Sequence, residues 1–137
     1  QQVLLNMQKV TDNVVDFKPE WEMQWIRCKP YIEEALKYQD SYTIKHVEDK
    51  ISNGLFHLWA GKESALVTEF VIFPKHKVLN LLFCGGDYNE LVEMLPSIEA
   101  FARAAECKRL YGGGRKGWSR KLKHLGFEEE HMIRKEL

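Results

Sequence analysis

One acidic residue stands inside an otherwise apolar stretch, in a position that suits proton transfer. Glu69 lies within Ala65–Phe73, where alternation puts its side chain on the same face as Val67 and Val71. Burial of that face would make the carboxylate a stronger base, so Glu69 is a candidate general base. The alternatives are that this face is exposed to solvent or that Glu69 forms an ion pair with a neighbouring Lys or Arg, and we weigh these structural roles above catalysis because such ion pairs are common.

A pair of glycines follows an apolar run and precedes a helical pattern. Glycines at such a junction let the main chain approach a phosphate, and the amides that open the next helix point toward it. Gly85 and Gly86 are therefore candidates to bind a phosphorylated ligand. Asp87 opposes this, since its carboxylate would cap the same amides and repel the phosphate. A simple glycine turn with an aspartate cap is the more common use of this pattern.

The segment from Arg103 to His124 is strongly basic, with eight Lys and Arg residues against one Glu. Arg115 lies on its glycine-rich loop, where a guanidinium can bind a phosphate or carboxylate through two hydrogen bonds. Trp118 follows at a helix start and would close a pocket or fill the end of the core. Gly112–Gly114 lacks the Lys and Ser or Thr of a nucleotide-binding loop, so nucleotide hydrolysis is not expected. The remaining cations fit a solvated helix face.

The composition indicates one globular domain without a metal or membrane role. The chain has 137 residues, of which 45% are hydrophobic and 29% charged, and its net charge is zero. The five His and three Cys residues have no zinc spacing and form no disulfide framework. The apolar runs are too short to cross a bilayer, and Gln1–Val10 carries no secretory signal. We therefore expect no metal, no membrane partner and a cytoplasmic protein.

Hydrophobic periodicity predicts helices first and a strand meander after them. Trp21–Lys37 reads as a helix with Pro30 inside it, and a second helix begins after Ser41–Thr43 and ends at Asn53-Gly54. Three antiparallel strands joined by short turns follow, at Leu55–Ala60, Ala65–Phe73 and Lys77–Cys84. Gln1–Glu20 contains a weak strand pattern at its start.

The rest of the chain alternates between helix and strand. A helix runs from Leu91 to about Glu106 with Pro96 in its early part, and Arg109–Tyr111 is a short strand. The last predicted elements are a helix at Trp118–Leu125, ended by Gly126, and a strand at Phe127–Leu137. The fold class is therefore α/β, an α+β mixed sheet with helices on its faces.

This order of elements resembles the GNAT superfamily of N-acetyltransferases, whose sheet opens into a V after its fourth strand. Leu125-Gly126-Phe127 is similar to the Leu-Gly-Phe motif that ends the last helix of many members. Cys84-Gly85-Gly86 is similar to the glycine-containing junction between strand and helix in the same family. Gly114–Trp118, with Val67–Glu69 upstream, resembles more specifically small acetyltransferase-like proteins of tailed phages. The resemblance extends from Tyr42 to Leu137.

The resemblance implies a single domain that binds acetyl-CoA and transfers the acetyl group to an unidentified amine of a small molecule or protein. The implied roles are base for Glu69, pantetheine and pyrophosphate binding for Phe83, Cys84, Gly85 and Gly86, phosphate or acceptor binding for Arg115, and acceptor binding for Trp118. The chain departs from the family pattern at two positions. Its phosphate loop is reduced to the two glycines, and Leu122 stands where the family often has the general-acid Tyr.

Two other functions stay open at this stage. One is a non-catalytic binding protein, in which the same fold serves in a phage particle or binds a host factor, in the host cytoplasm or the virion. The other is nucleic-acid binding through Arg103–Lys123, which zero net charge makes the weaker hypothesis.

Overall fold

The structure of the chain is a computed structural model that describes residues 20–113 and 116–137. Its helices are α1 (Glu20–Leu36), α2 (Ile44–Ser52), α3 (Tyr88–Ala104) and α4 (Lys116–Leu122), and its strands are β1 (His57–Ala60), β2 (Ser64–Ile72), β3 (Lys77–Gly86) and β4 (Arg109–Gly112). A 3-10 turn at Lys123–Leu125 continues α4. The strand predicted at the start of Gln1–Glu20 lies outside the described residues.

One mixed sheet joins the four strands in the order β1-β2-β3-β4. The first three strands pair antiparallel as a meander, whereas β3 and β4 are parallel. Parallel neighbours need a crossover connection, and α3 provides it. The predicted α/β class, the meander and the helix between the last two strands are therefore confirmed.

The sheet buries an apolar layer on each face. Residues of α1 and α2 pack against Ala65 and Val67 of β2, and residues of α3 pack against Leu66 of the same strand. Because neighbouring strand residues point to opposite faces, β2 contributes to both layers. We call the two sides of the sheet the α1 face and the α3 face.

The helix ends agree with local sequence chemistry. Thr43 caps α2 by accepting a hydrogen bond from the main-chain N–H of His46, and the His46 side chain accepts one from the N–H of Thr43 at 3.0 Å. Gly126 has a φ of +93°, which favours glycine, and it ends the turn after α4 as predicted. Helix α1 continues through Pro30, and helix α3 continues through Pro96.

The strand predicted at Phe127–Leu137 is not formed. This segment has no regular structure, and every residue from Glu128 onward is exposed. The ion pairs described within it join Glu129 to His131 and Arg134 to Glu136. A strand is stable only when it pairs with an edge of a sheet, and none of the described strands pairs with this segment.

Candidate functional site

The parallel ladder between β3 and β4 ends partway along β3, where β4 itself ends. Their pairing runs from Val78 opposite Arg109 to Leu81 opposite Gly112, whereas β3 continues to Gly86. In the described part of the chain, no strand pairs with Leu82–Gly86 on the β4 side. At about 3.3 Å per residue, this unpaired edge is about 16 Å long. We call it the open edge; its main-chain groups can bind an extended ligand.

A β-bulge in β3 lies directly after the last residue that pairs with β4. Val67 pairs with Phe83 and Thr68 pairs with Leu81, so Leu82 is the extra residue of β3. Leu82 and Phe83 consequently both pack on the α1 face, while Cys84 packs on the α3 face. A bulge bends and twists its strand, so the direction of β3 changes close to the end of the β4 ladder.

The side chains of Phe83 and Cys84 belong to the two cores. The Phe83 ring is 9% exposed and meets the Tyr42 ring edge to face, with centroids 5.4 Å apart. Cys84 is half-buried against the core of the α3 face. A ligand at the open edge would therefore use the main chain of these two predicted residues.

The two predicted phosphate-binding glycines have a packing reason of their own. A Cβ atom on Gly85 would overlap the carbonyl oxygen of Tyr31 in α1, and one on Gly86 would overlap the carbonyl oxygen of Glu63. Gly86 also has a φ of +99°, a conformation that glycine adopts without strain. Both glycines are therefore required for packing whether or not a ligand binds, and their role in binding stays a prediction.

The start of α3 carries an aspartate cap, as the sequence indicated. Asp87 Oδ1 accepts a hydrogen bond from the main-chain N–H of Asn89 at 2.9 Å. The N–H of Asp87 itself donates to the carbonyl of Glu63 at 3.0 Å. The cap satisfies an amide that a phosphate would need and adds a negative charge beside it. This helix start therefore does not fit a pyrophosphate.

A second carboxylate in the first turn of α3 stabilises the turn between β1 and β2. Glu90 Oε1 accepts hydrogen bonds from the Ser64 hydroxyl and from the Glu63 N–H, the latter at 3.0 Å. The hydrogen bond from Ser64 is the main reason that the pKa of Glu90 lies below its ordinary value. The sequence analysis missed this contact, although the Asp-x-x-Glu spacing of a capping box was a signal that Glu90 receives amide hydrogen bonds.

Glu69 lies close to the end of the ladder between β3 and β4. It pairs with Asn80, one position before the Leu81–Gly112 pair that ends the β4 ladder. The half-buried carboxylate accepts a hydrogen bond from Asn80 Nδ2 at 3.3 Å. No Lys or Arg among the residues that the structure describes forms an ion pair with it. The structural ion pair that competed with catalysis is therefore absent from the described contacts of Glu69.

Two aromatic rings meet beyond the open edge. Tyr88 is the first residue of α3, directly after β3 and Asp87, and its ring lies 5.4 Å from the ring of Trp118 in α4. The Tyr88 hydroxyl also donates to the carbonyl of Lys121 at 3.4 Å, and Lys121 Nζ lies 4.8 Å from the centre of the Tyr88 ring. These contacts join α3, the helix that follows β3, to α4, the helix that follows β4. We call them the Tyr88–Trp118 contact.

The remaining predicted residues of this region fall in two groups. Trp118 and Leu122 both pack against the core of the α3 face, so Trp118 fills and covers this side of the fold. Arg115, predicted to bind a phosphate or the acceptor, lies outside the described residues. The Leu122 side chain has no acidic proton and cannot act as the general acid that the family often has at this position. A different phenol contacts α4, namely that of Tyr88, whose hydroxyl donates to the Lys121 carbonyl.

A buried polar group lies on the α3 face, level with the end of the β4 ladder. Thr68 Oγ1 accepts a hydrogen bond from Trp59 Nε1 at 3.0 Å and lies 2.9 Å from His57 Nδ1. Burial lowers the pKa of His57 to about 4. Phe70 and Phe101 pack against the imidazole ring, with centroids at 4.8 and 5.1 Å. His57 is therefore a neutral residue of the core at ordinary pH.

Within residues 20–113 and 116–137, no group of three His, Cys, Asp or Glu side chains is arranged to bind a metal ion. No helix within these ranges combines the length and apolar character that a membrane span requires.

Comparisons with known proteins identify the fold. No family model and no curated protein matches the chain. Solved structures do match: a probable acetyltransferase has a TM-score of 0.61 at 12% identity, over 85% of this chain and 91% of that chain. The chain has a GNAT-like fold. The predicted architecture is thereby confirmed, and at this level of identity the likeness concerns the fold alone.

Two further GNAT-like neighbours were solved with ligands. An aminoglycoside acetyltransferase from an uncultured soil metagenomic sample, in complex with sisomicin, has a TM-score of 0.57 at 11% identity, over 85% of this chain and 88% of that chain. A predicted acetyltransferase from Clostridium acetobutylicum, with acetyl-CoA, has a TM-score of 0.54 at 11% identity, over 72% of this chain and 78% of that chain.

Proposed function

We propose that this chain binds acetyl-CoA along the open edge of β3 and transfers its acetyl group to an amine. The observation that carries the proposal is that β3 continues for five residues beyond the end of β4 at Gly112, which leaves main-chain groups of Leu82–Gly86 without a strand partner on that side among the described residues. These groups suit the amide-bearing pantetheine arm, and the fold is that of acetyltransferases, one of them solved with acetyl-CoA. When bound, acetyl-CoA would supply an activated thioester.

In this proposal Glu69 removes a proton from the attacking amine, directly or through a water molecule. Its carboxylate is near the end of the β4 ladder, and the hydrogen bond from Asn80 orients it without neutralising it. Leu122 cannot donate a proton to the leaving sulfur. We therefore expect solvent to supply that proton, and slow turnover compared with an enzyme that has a positioned acid.

The open edge and the start of α3 differ in their fit to the two halves of acetyl-CoA. The open edge fits the extended arm, whereas the Asp87 cap at the start of α3 disfavours the pyrophosphate. We propose that the arm provides most of the affinity. Arg115 remains a proposed phosphate ligand on the strength of its loop and its charge alone.

Backbone amide spectra can test where the ligand binds. On addition of acetyl-CoA or S-acetylpantetheine, we expect the amide resonances of Leu82–Gly86 to shift, while those of Lys77–Asn80 at the paired end of β3 stay unchanged. ADP, which carries the phosphates without the arm, should cause little change. Absence of any shift at about 1 mM acetyl-CoA, where binding worth about 4 kcal/mol is half-saturated, would count against the proposal.

The Asp87→Asn variant should bind acetyl-CoA about tenfold more tightly than the wild-type chain, a difference of about 1.4 kcal/mol. Asparagine caps a helix about as well as aspartate, so the variant removes the charge and keeps the cap. Calorimetry with acetyl-CoA measures the change. S-acetylpantetheine is the control ligand, since its affinity should not change. Equal affinity of both proteins for acetyl-CoA would show that no phosphate approaches this helix start.

A second candidate function is non-catalytic binding on the same fold. The Tyr88–Trp118 contact favours it, because these rings join α3 to α4, the helices that follow β3 and β4, and a ligand at the open edge would have to fit beside that contact. The resemblance to small phage proteins extends this candidate to a phage particle or a host factor. Incubation with acetyl-CoA and a panel of amines separates the two functions. Release of free thiol supports transfer, and its absence with every amine supports binding alone.

Replacing Trp118 with alanine distinguishes a covering role from a ligand-binding role. If the ring covers the open edge, the variant should bind acetyl-CoA about tenfold more tightly, because a larger fraction of molecules is open. Tyr88→Phe is the matched control, since it keeps the ring contact and loses only the hydroxyl. Calorimetry provides the comparison. Weaker binding by Trp118→Ala would instead make Trp118 a contact of acetyl-CoA, a role different from the acceptor binding predicted from the sequence.

A further inference from the structure

A small pocket lies where the turn between β2 and β3 meets β4. It has a volume of about 300 Å³ and is lined by Phe73, Pro74, Lys75, His76 and Tyr111. The first three of these residues are exposed, so the pocket is an open concavity of the surface. We call it the turn pocket. Its volume is at the lower end for ligand sites and is enough for one small ring system.

Three aromatic rings meet at the turn pocket. Phe73 is 41% exposed, and the centroid of its ring lies 5.5 Å from that of His76 and 6.5 Å from that of Tyr111. The planes of these rings are not parallel, since Phe73 meets Tyr111 edge to face at 80° and His76 at 48°. A flat group can therefore stack on the exposed Phe73 ring while its edge meets one of the other two rings.

Cations from two separate parts of the chain lie beside these rings. The pKa of His76 is below its ordinary value because its ring is partly desolvated and because three cations are near it, namely Arg109, Lys108 and Lys75. Arg109 Nη1 also donates a hydrogen bond to the Tyr111 hydroxyl at 3.0 Å. Among the described residues, none of the three cations forms an ion pair with a carboxylate. Their charge therefore favours an anionic ligand at the turn pocket.

Main-chain hydrogen bonds hold the two parts of the turn pocket in place. The Phe73 N–H donates to the His76 carbonyl at 2.8 Å, which closes the turn, and the Lys108 N–H donates to the Lys77 carbonyl at 2.8 Å. Pro74 fixes one φ angle inside the turn. A site that is already formed loses less conformational entropy on binding than one that must first become ordered.

Exposed rings beside unpaired cations match the chemistry of single-stranded nucleic acid. Its bases stack on aromatic side chains, and its phosphates bind to Lys and Arg. In a duplex the bases are already stacked and paired, so none is available to the Phe73 ring. An acidic peptide would match the cations but would offer no base to the rings. A free nucleotide is disfavoured too, because sites for small ligands enclose most of the ligand and the turn pocket is open.

We propose that the turn pocket binds single-stranded nucleic acid, with one base stacked on Phe73 and the neighbouring phosphates on Lys75, Lys108 and Arg109. The net charge of zero provides no long-range attraction, so binding depends on this local cluster. The turn pocket lies beside Lys77 at the start of β3, five residues or about 16 Å before the open edge begins at Leu82. This proposal is independent of acetyl transfer.

Fluorescence anisotropy of a labelled single strand of about 12 thymidine nucleotides tests the stacking. The wild-type chain should bind this strand with a Kd of about 10 µM at about 0.1 M salt, and a duplex of the same length about tenfold more weakly. Phe73→Ala should weaken binding of the strand about tenfold. The matched control is Ile72→Ala, which removes a side chain that is 79% exposed on the opposite face of the sheet and should bind as the wild type does. Thermal unfolding checks that both variants fold.

The salt dependence of binding tests the cations. For the double variant Lys75→Gln, Lys108→Gln, the slope of log affinity against log salt should be smaller by about 0.7 for each cation removed. The matched control is Lys37→Gln, Lys45→Gln, which removes the same charge from two exposed lysines that form ion pairs elsewhere in the molecule. Its slope should equal that of the wild type.

Four results would overturn the proposal. One is the absence of binding to the single strand at about 100 µM protein and about 0.1 M salt. Another is equal affinity for the strand and the duplex, since charge alone would then explain binding. The third is equal affinity of Phe73→Ala and the wild type, which would place the strand on another surface. The fourth is a poly-glutamate peptide that binds as tightly as the strand, since the turn pocket would then suit an acidic protein.

Discussion

Replacing Gly85 with alanine is expected to lower the free energy of unfolding by about 3 kcal/mol, because the new methyl group would overlap the main chain of α1. The obstructing atom is the carbonyl oxygen of Tyr31, which belongs to a helix and cannot turn aside as a flexible side chain would. The variant must therefore shift α1 away from the sheet or distort the end of β3. Urea unfolding measures the loss.

Gly113→Ala is the matched control for Gly85→Ala. Among the described residues, no heavy atom apart from those of its chain neighbours lies within 4 Å of a Cβ built at Gly113, so this variant should change stability by no more than about 0.5 kcal/mol. A Gly85→Ala protein as stable as the wild type would contradict the close seating of α1 on β3. The result also bears on ligand studies, because reduced binding by Gly85 or Gly86 variants would reflect altered packing.

Acidification is expected to destabilise the protein through His57. Its pKa is about 4 in the folded chain and 6.5 in the unfolded chain, so the unfolded state takes up the proton first. The contribution of neutral His57 is complete above pH 6.5 and is lost as the pH falls toward 4. The shift corresponds to an upper limit of about 3 kcal/mol. Chemical denaturation at a series of pH values between 7.5 and 4.5 measures the slope.

The His57→Gln variant isolates this contribution. Glutamine can still bond to Thr68 but does not titrate in this range, so its stability should depend much less on pH. His131→Gln is the control, because His131 is exposed and should leave the wild-type slope unchanged. Protonation of Glu90 also destabilises the folded chain as the pH falls, because the pKa of Glu90 lies below its ordinary value of 4.5. This loss begins at lower pH than the loss through His57. Equal slopes for wild type and His57→Gln would refute the assignment.

The sequence predicted those elements whose stability is expressed in local periodicity. The stripes of α2 and α3 and the alternating layers of β2 are local patterns, and the structure has these elements close to their predicted bounds. The segment Phe127–Leu137 has a similar strand pattern but forms no strand, since a strand also needs a partner edge. Which edge is available depends on the assembled sheet, and periodicity along one segment does not contain that information.

The candidate site was predictable only where neighbouring residues determine it. The Asp87 cap was evident because Asp87 and its amide partner are two residues apart. The packing reasons for Gly85 and Gly86 were hidden, because they depend on Tyr31 and Glu63, which are distant in the sequence. The Tyr88–Trp118 contact likewise joins residues thirty positions apart, across two elements. Contacts of this kind are set by tertiary packing, which spacing alone does not specify.

The seating of Gly85 and Gly86 makes the two sides of the opening mechanically unequal. The end of β3 lies between α1 and the β1–β2 turn. The four-residue β4 and the short helix α4 are held by one ladder, by the Tyr88–Trp118 contact and by half-buried side chains on the core of the α3 face. We therefore expect the end of β3 to stay fixed and β4, together with α4, to move. A molecule that binds at the open edge would displace β4 and α4 and leave β3 in place.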